Sequence, residues 1–384
     1  MPENSFPAAR QKRPFFIIGH RANTIADAKT FLDKGTNALE IDIVHDNKRF
    51  YVSHDIHKSY ENIPTLEEFL PELKTLLADG GYDLSLMIWD MKCTDFDPNR
   101  FMAIVRKNFS GNPCDGIAML ITHPEDHGFI NQYTADYENV GVGLDESDIP
   151  PSDLEKIFKT RDQKNYSYAD GITTFLNKTE VFKNITEAQT CRYHHEPDSY
   201  SIIYTWVLHR EEAMRTFLGT YIDGIMVDPG GVELLKQLVT SPPFNEAYEL
   251  ASNGYNPFAK AVIPQYLLTV ETSDKFLAGT DAKMLFTLTG SSGISLQSLP
   301  YNSGADSRLE RGNTTLLTLE GMDLGAIKSL TVEVLTDGLG SGWLPRVITV
   351  ESKMLEHKLQ FVFNDNGTEE WIKKKAGPVT KLPS

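Results

Sequence analysis

Short apolar runs alternate with amphipathic stretches along the first 240 residues of this chain. Residues 15–20 and 38–43 are near-continuous apolar runs of the kind found in strands that are buried on both faces. Between them, apolar residues recur with helical spacing over residues 24–34, and Gly35 ends that helix. This alternation predicts parallel strands joined by crossover helices.

The same alternation continues along the chain. A capping box, T-L-E-E at residues 65–68, begins a second predicted helix that ends near Leu77, and Asp97-Pro98 begins a third. Further strands are predicted over residues 84–88, 116–121, 140–144, 171–174, 201–207 and 224–227. Eight strand-then-helix units predict a TIM (β/α)8 barrel. A doubly wound open sheet is the alternative, but G-H-R-A-N stands where such a sheet carries its glycine-rich phosphate turn.

The pattern changes near Ser241. Two prolines and the segment N-G-Y-N-P predict a turn-rich linker with few apolar anchors. Beyond it, short alternating strands separated by Gly, Asp, Asn and Ser predict an all-β sandwich. The predicted organisation is an N-terminal extension over residues 1–13, a barrel over 14–240, a linker over 241–262, a sandwich over 263–375 and a tail over 376–384.

Polar residues that could carry chemistry lie in or just after the early apolar runs. Glu40 and Asp42 share one face of their strand because side chains alternate, and His20 and His54 follow neighbouring runs. Carboxylates among apolar strands are costly to bury unless they are neutralised. A hard divalent cation would neutralise them, and the histidines could then transfer protons on a substrate that it holds. The alternative is an ordinary ion pair with lysine or arginine.

The order of these motifs resembles the glycerophosphodiester phosphodiesterase superfamily. G-H-R-A-N at residues 19–23, followed by E-I-D at residues 40–42, is similar to its sphingomyelinase D branch, known from spider venom and from microbial phospholipase D toxins. I-W-D-M-K at residues 88–92 resembles the family's aspartate-and-lysine strand. Residues 204–206 and D-G-I-M at residues 223–226 resemble its last two strands.

The resemblance implies a Mg²⁺-dependent phospholipase D that releases choline from sphingomyelin or lysophospholipids. Attack by the lipid's own hydroxyl would give a cyclic phosphate. The resemblance assigns proton transfer to His20 and His54, and it assigns one Mg²⁺ to Glu40, Asp42 and Asp90. Two alternatives stay open: a glycerophosphodiester phosphodiesterase acting on small soluble diesters, and an inactive lipid-binding protein.

Three further residues are implied to bind substrate. Lys92 lies two residues after Asp90 and would contact the phosphate; its alternative is an ordinary solvated lysine. Trp206 would hold a quaternary ammonium head group by cation–π attraction, the alternative being a core tryptophan. Asn23 is a further candidate. Arg21 is an arginine as in the glycerophosphodiesterases, whereas the venom enzymes carry an apolar residue there.

The predicted sandwich resembles a PLAT (lipoxygenase homology) domain. The resemblance rests on residues 266–272, A-G-T-D-A at residues 278–282, residues 319–334 and W-L-P-R-V at residues 343–347. It implies docking on lipid, with Ca²⁺ as a second candidate cofactor. The exposed edge is predicted beside the A-G-T-D-A segment, at Phe276 and Leu277.

Composition narrows the partners. The formal net charge of −16 over 384 residues argues against nucleic acid and leaves local, apolar contacts for any peripheral membrane association. The substrate partner that the resemblance implies is a choline phospholipid or sphingolipid, and the oligomeric state is left open. Neither a signal peptide nor a long apolar run is recognised, so the expected location is soluble, secreted or peripheral to a membrane.

Overall fold

The structure is a computed structural model. It describes residues 10–46, 48–56, 59–93, 96–109, 116–121, 139–144, 149–171, 178–258, 263–291, 293–302, 309–336, 342–365 and 368–384. The strands of its first part are β1 (Arg13–Gly19), β2 (Ala38–His45), β3 (Phe50–Val52), β4 (Leu86–Met91), β5 (Gly116–Ile121), β6 (Val140–Leu144), β7 (Ser167–Gly171), β8 (Ile202–Trp206), β9 (Gly224–Val227) and β10 (Tyr248–Leu250). The helices are α1 (Ile25–Lys34), α2 (Leu66–Gly80), α3 (Pro98–Phe109), α4 (Pro151–Thr160), α5 (Lys178–His195), α6 (Glu211–Leu218) and α7 (Val232–Val239).

Eight of these strands form one parallel sheet in the order β6-β5-β4-β2-β1-β9-β8-β7. β3 pairs antiparallel with β2, and β10 pairs in parallel with β1. A parallel bridge between Val142 and Tyr166 brings the two ends of this order together. The predicted α/β class is confirmed.

Local sequence signals set several helix ends as predicted. Thr24 caps α1 by accepting a hydrogen bond from the backbone N–H of Asp27, and Gly35 ends the helix in the left-handed conformation. Thr65 and Glu68 form the expected capping box of α2, which continues to Gly80. These ends agree because the capping interactions are local.

The strand predicted to begin at Gly171 begins earlier, since S-Y-A-D-G at residues 167–171 forms β7. Residues 172–174 of that prediction lie outside the described part of the chain. The β-branched residues after Gly171 favoured the later position. Polar residues are accepted in β7 because they find partners: Asp170 accepts hydrogen bonds from the backbone of Gly171 and from Asn184 of α5.

The segment predicted as a weakly anchored linker is packed against the parallel sheet. Phe244, Tyr248 and Phe258 are buried, so the expectation of few apolar anchors is wrong. Phe258 belongs to a cluster that also contains alternate residues of β1, Phe16 and Ile18. We call this set the inner cluster: Phe16, Ile18, Ala38, Leu86, Ile88, Ala169, Ile202, Tyr204, Met226, Ala251 and Phe258.

The second part of the chain is built from antiparallel strands. They are β11 (Gln265–Thr272), β12 (Lys283–Gly290), β13 (Ser295–Gln297), β14 (Tyr301–Asn302), β15 (Thr314–Glu320), β16 (Ile327–Val334), β17 (Gly342–Trp343), β18 (Pro345–Glu351), β19 (Leu359–Val362), β20 (Asn364–Asp365), β21 (Thr368–Glu369), β22 (Ile372–Lys373) and β23 (Val379–Lys381). One sheet has the order β15-β11-β18-β19 and the other β13-β12-β16-β23. Their inward side chains form one hydrophobic cluster, as in a sandwich. The predicted tail instead supplies β23.

A buried ion-pair network joins the two parts. Arg13 of β1 donates to Glu320 of β15 at 2.8 and 2.7 Å and to Asp223 at 2.5 Å. Asp223 also accepts from Arg192 of α5 at 2.5 Å. Because Arg13 begins β1, the sandwich contacts the amino end of that strand, opposite the end at which His20 follows. Arg13, the last residue of the predicted N-terminal extension, therefore takes part in the contact between the parallel sheet and the sandwich.

Candidate active site

Three carboxylates meet on neighbouring strands of the parallel sheet. Glu40 and Asp42 belong to β2, Asp90 belongs to β4, and Asp42 is in register with Asp90. Their relative exposures are only 2%, 1% and 8%. One oxygen from each lies within 4.8 Å of the others. This set, the acidic cluster, could hold a metal ion.

The electrostatics of the acidic cluster fit a hard cation. Burial raises the pKa of Glu40 well above its ordinary value, and the charges of Asp42 and Asp90 raise it further. Glu40 Oε1 is buried and has no hydrogen-bond partner among the described residues. A bound cation would satisfy this oxygen, and the oxygen-only ligand set suits Mg²⁺ or Ca²⁺.

Two polar side chains hold the acidic cluster in place. Asn23 donates its amide to Asp42 Oδ2 at 2.7 Å and accepts from the Asp42 backbone N–H at 2.9 Å. Asn23, predicted to contact substrate, therefore contacts a carboxylate of the cluster. Lys92 lies 2.5 Å from Asp90 Oδ2 and 3.8 Å from Asp42 Oδ1, on the cavity side that its spacing predicted.

His20 follows β1 and is oriented by a residue that sequence reasoning missed. Its Nδ1 lies 2.9 Å from Asp228 Oδ1, and Asp228 comes directly after β9. Burial lowers the pKa of His20, and the hydrogen bond and charge of Asp228 offset this lowering only in part. The signal available in the sequence was a carboxylate following the last parallel strand, in V-D-P-G-G.

His54 reaches the site from the connection after β3, not from the end of a parallel strand. Its Nδ1 lies 2.8 Å from Asp55, and its Nε2 lies 2.6 Å from the guanidinium of Arg21. Arg21 has a φ of 56°, in the left-handed region. This conformation directs its backbone N–H to Glu40 Oε2 at 2.6 Å, so Arg21 links His54 to the acidic cluster.

Trp206 and Asp170 lie in different surroundings. Trp206 ends β8, is half-buried and packs against the inner cluster. Its indole lies over Gly171, where a Cβ would come within 2.0 Å of the ring, so this position requires glycine. Asp170 is directed to α5 through Asn184 and takes no part in the acidic cluster. Burial raises its pKa.

A buried carboxylate cluster that could hold a metal ion lies on neighbouring strands of the parallel sheet, with two oriented histidines beside it. This arrangement defines the class as an α/β enzyme. Comparison with known proteins gives the particular family. Residues 10–116 and 127–258 match the dermonecrotic toxin SPH family, and residues 266–381 match the PLAT/LH2 domain. The chain belongs to this toxin family, which is the predicted sphingomyelinase D branch, and it carries a PLAT domain. The predicted enzyme class, a phosphodiesterase of the phospholipase D type, is confirmed.

Individual relatives are similar to about two thirds of this chain. Dermonecrotic toxin LlSicTox-alphaIV1i of Loxosceles laeta is 25% identical over 281 residues, which cover 64% of this chain and 99% of the toxin. Among solved structures, a glycerophosphodiester phosphodiesterase from Thermotoga maritima is 16% identical, with a TM-score of 0.38 and coverage of 58% and 98%. Coral 8R-lipoxygenase is 22% identical, with a TM-score of 0.27 and coverage of 31% and 17%. With TM-scores below 0.5, neither likeness bears on function.

Two further findings concern metals and membranes. Among the described residues, the acidic cluster is the only group of three or more His, Cys, Asp or Glu side chains that lie close enough to share a metal ion. The Ca²⁺ expected in the PLAT domain therefore stays a prediction. No described helix has the length and apolar character needed to span a membrane.

Proposed function

We propose that this chain is a Mg²⁺-dependent phospholipase D of the sphingomyelinase D type that releases choline from sphingomyelin or lysophospholipids. The observation that carries the proposal is a pair of carboxylate-oriented histidines beside the acidic cluster. Cleavage of a choline phosphodiester needs one group to take a proton from the attacking hydroxyl and another to protonate the departing oxygen. It also needs positive charge at the phosphate.

We further propose that the parallel sheet closes as a (β/α)8 barrel. The bridge between Val142 and Tyr166 supports closure, because these residues belong to the two ends of the strand order. The inner cluster supports it too, since its residues come from strands spread along that order. The acidic cluster then lies at the carboxyl ends of the barrel strands, where the sites of such enzymes are found.

Glu40, Asp42 and Asp90 would hold Mg²⁺. When bound, Mg²⁺ neutralises the carboxylates and polarises the phosphate. We assign Asn23 to keeping Asp42 turned toward the cluster, in place of the predicted contact with substrate. Lys92 offers a second positive charge to the phosphate oxygens from its position beside Asp90.

His20 and His54 would divide the proton transfers. A carboxylate only accepts hydrogen bonds, so the Nδ1 of His20 donates to Asp228 and its Nε2 keeps a lone pair. The lowered pKa favours this neutral form, and we assign His20 to accept the proton of the attacking hydroxyl. His54 would deliver a proton from Nε2 to the choline oxygen as the phosphorus–oxygen bond breaks. Because a guanidinium only donates hydrogen bonds, this role requires Nε2 to part from Arg21 when substrate binds.

The substrate's own hydroxyl is the proposed attacking group. Its oxygen bonds to phosphorus while choline leaves, so the product is a cyclic phosphate. Trp206 is the proposed contact for the head group, because a half-buried indole at the end of β8 can offer its face to a quaternary ammonium. Such a contact contributes about 0.5 to 2 kcal/mol.

The sandwich is the proposed lipid-docking part. Phe276 is 76% exposed and Leu277 is 68% exposed, in the loop after β11. Leu277 has a φ of 63°, which is costly for a branched side chain. The A-G-T-D-A segment beside it is mostly buried, so these two residues are the apolar edge that we assign to the bilayer. Ca²⁺ binding here stays part of the proposal.

One set of assays tests the proposal. Head-group release from sphingomyelin, lysophosphatidylcholine and glycerophosphocholine is measured side by side with Mg²⁺, and mass spectrometry identifies the phosphorylated product. We expect release from the first two and a cyclic product. Activity confined to glycerophosphocholine would favour the alternative that Arg21 suggests, a phosphodiesterase for small diesters. Liposome binding without any release would favour the inactive lipid-binding protein.

A further inference from the structure

Asp228 is shared by two imidazoles at the carboxyl end of the parallel sheet. Its Oδ1 lies 2.9 Å from Nδ1 of His20, and its Oδ2 lies 3.5 Å from Nδ1 of His209. His209 lies in the connection between β8 and α6, whereas Asp228 follows β9. Three separate connections therefore meet at one carboxylate, and the proposed chemistry uses only the imidazole of His20.

We propose that His209 is a positioning residue for His20 and that it acts through Asp228. The inference rests on the proposed function, in which Nε2 of His20 accepts a proton. The terminal torsion of an aspartate is soft, so a carboxylate held by one oxygen can rotate. With His209 at Oδ2, the other oxygen stays on Nδ1 of His20. The imidazole then keeps one orientation and the tautomer with a free Nε2.

The exposure of Asp228 is the reason why a second contact would matter. The side chain of Asp228 is 46% exposed, so water competes for its oxygens. Among the described residues, Asp228 is also the carboxylate that hydrogen-bonds to His20. When Asp228 turns away, the ring of His20 loses the group that orients it. His209 therefore affects the reaction without touching substrate.

The kinetic test compares His209→Ala with His209→Gln, whose amide N–H is able to donate a hydrogen bond to Asp228. The side chain of His209 is 63% exposed, so neither change should disturb folding. We expect alanine to lower kcat for choline release about three- to tenfold with KM unchanged, and glutamine to restore most of it. His357→Ala, on the exposed surface of the sandwich, is the matched control and should leave kcat unchanged.

A second measurement does not depend on turnover. Nitrogen-15 NMR of the cation-free full-length protein, at a pH where His20 is neutral, reports which ring nitrogen carries the proton. The His20 signal is assigned by its loss in His20→Gln. We expect the Nδ1–H form to dominate in the unsubstituted protein and in His209→Gln, and to lose that dominance in His209→Ala.

The outcomes separate this inference from the proposed function. An unchanged tautomer in His209→Ala would overturn the role of His209, and so would a loss of kcat that glutamine does not rescue. If the unsubstituted protein releases no choline from any lipid, the proposed function fails. The NMR comparison then still decides whether His209 positions His20.

Discussion

Glu40 determines what the acidic cluster can bind, because it is buried beside two other carboxylates. We expect Glu40→Gln and Asp42→Asn each to abolish choline release while the protein stays folded. Each change removes one anionic ligand and preserves the shape of the side chain. Activity is measured at limiting and saturating Mg²⁺, with the exposed Glu67→Gln of α2 as a control. Full activity of either cluster variant at limiting Mg²⁺ would refute the metal assignment.

The raised pKa of Glu40 makes Mg²⁺ binding depend on pH. In the cation-free folded protein, Glu40 keeps its proton above the ordinary value of 4.5, where the unfolded chain has lost it. The stability from that proton is present below 4.5 and is lost as the pH rises through the raised pKa. Mg²⁺ displaces the proton, so its stabilising effect should grow over the same range.

Thermal unfolding with and without Mg²⁺ measures this effect. We expect a larger rise of Tm at about pH 8 than at about pH 5.5, since fewer protons compete at the higher pH. Glu40→Gln should remove most of this difference, because its amide does not titrate. An equal rise of Tm at both pH values in the unsubstituted protein would contradict the prediction.

Sequence alone identified the residues whose roles depend on short spacing. Glu40 and Asp42 were placed together by strand alternation, and Lys92 was placed with Asp90 in the same way. Asp228 and His209 were missed because their relation to His20 spans more than 180 residues and exists only after the strands align. Asn23 was identified, but its contact with Asp42 could not be read from spacing.

At the scale of elements, the loop after β11 carries the docking prediction. We expect Phe276→Ser with Leu277→Ser to weaken liposome binding by at least about tenfold, because two exposed apolar side chains no longer enter the bilayer. Choline release from micellar substrate should not change. The control is Leu382→Ser, which alters an apolar side chain of the same part that is 72% exposed. Unchanged liposome binding in the double variant would assign docking to another surface.

The segment after α7 carries a stability prediction. We expect Phe258→Ala to lower the free energy of unfolding by about 3 to 5 kcal/mol, because it leaves a cavity in the inner cluster. Phe276→Ala makes the same chemical change at an exposed position and is the matched control. Denaturant unfolding of both variants measures the difference. Equal stability of the two would show that Phe258 is dispensable to the core.

Elements with local signals agreed with the sequence, and elements that depend on distant partners did not. Helices α1 and α2 begin where their caps predict, because a cap involves residues three apart. The sequence predicts a linker where β10 lies, because Tyr248–Leu250 becomes a strand only by pairing with β1. β7 begins earlier than predicted, and its polar residue Asp170 has a partner on α5 that the sequence does not indicate.

At the scale of the whole molecule, the ion-pair network of Arg13 makes the two parts interdependent. We expect Glu320→Gln to cost about 3 kcal/mol of stability, because it leaves the buried guanidinium short of charge compensation. The double variant Arg13→Met with Glu320→Leu should cost less than the sum of its single changes. Denaturant unfolding of the three variants measures this coupling, and simple additivity would contradict it.

The same network predicts that truncation of the chain near Asn256 lowers the stability of the first part. Such a cut removes Phe258 from the inner cluster and Glu320 from Arg13. A fragment that ends after residue 262 keeps Phe258 in the inner cluster but still lacks Glu320 as a partner of Arg13. Loss of turnover on bilayers in a short fragment thus reflects lost stability as well as lost docking.

The ion-pair network also has a consequence for the order of events during synthesis. Arg13 lies 210 residues before Asp223 and 307 residues before Glu320. At roughly 5 to 20 residues per second, the ribosome exposes Arg13 on the order of 15 to 60 seconds before Glu320 exists. For most of that interval β1 also lacks β9 and β10, which are made before Glu320. β1 is thus made early but acquires its last partners late, and its apolar side chains lack those partners in the nascent chain until then.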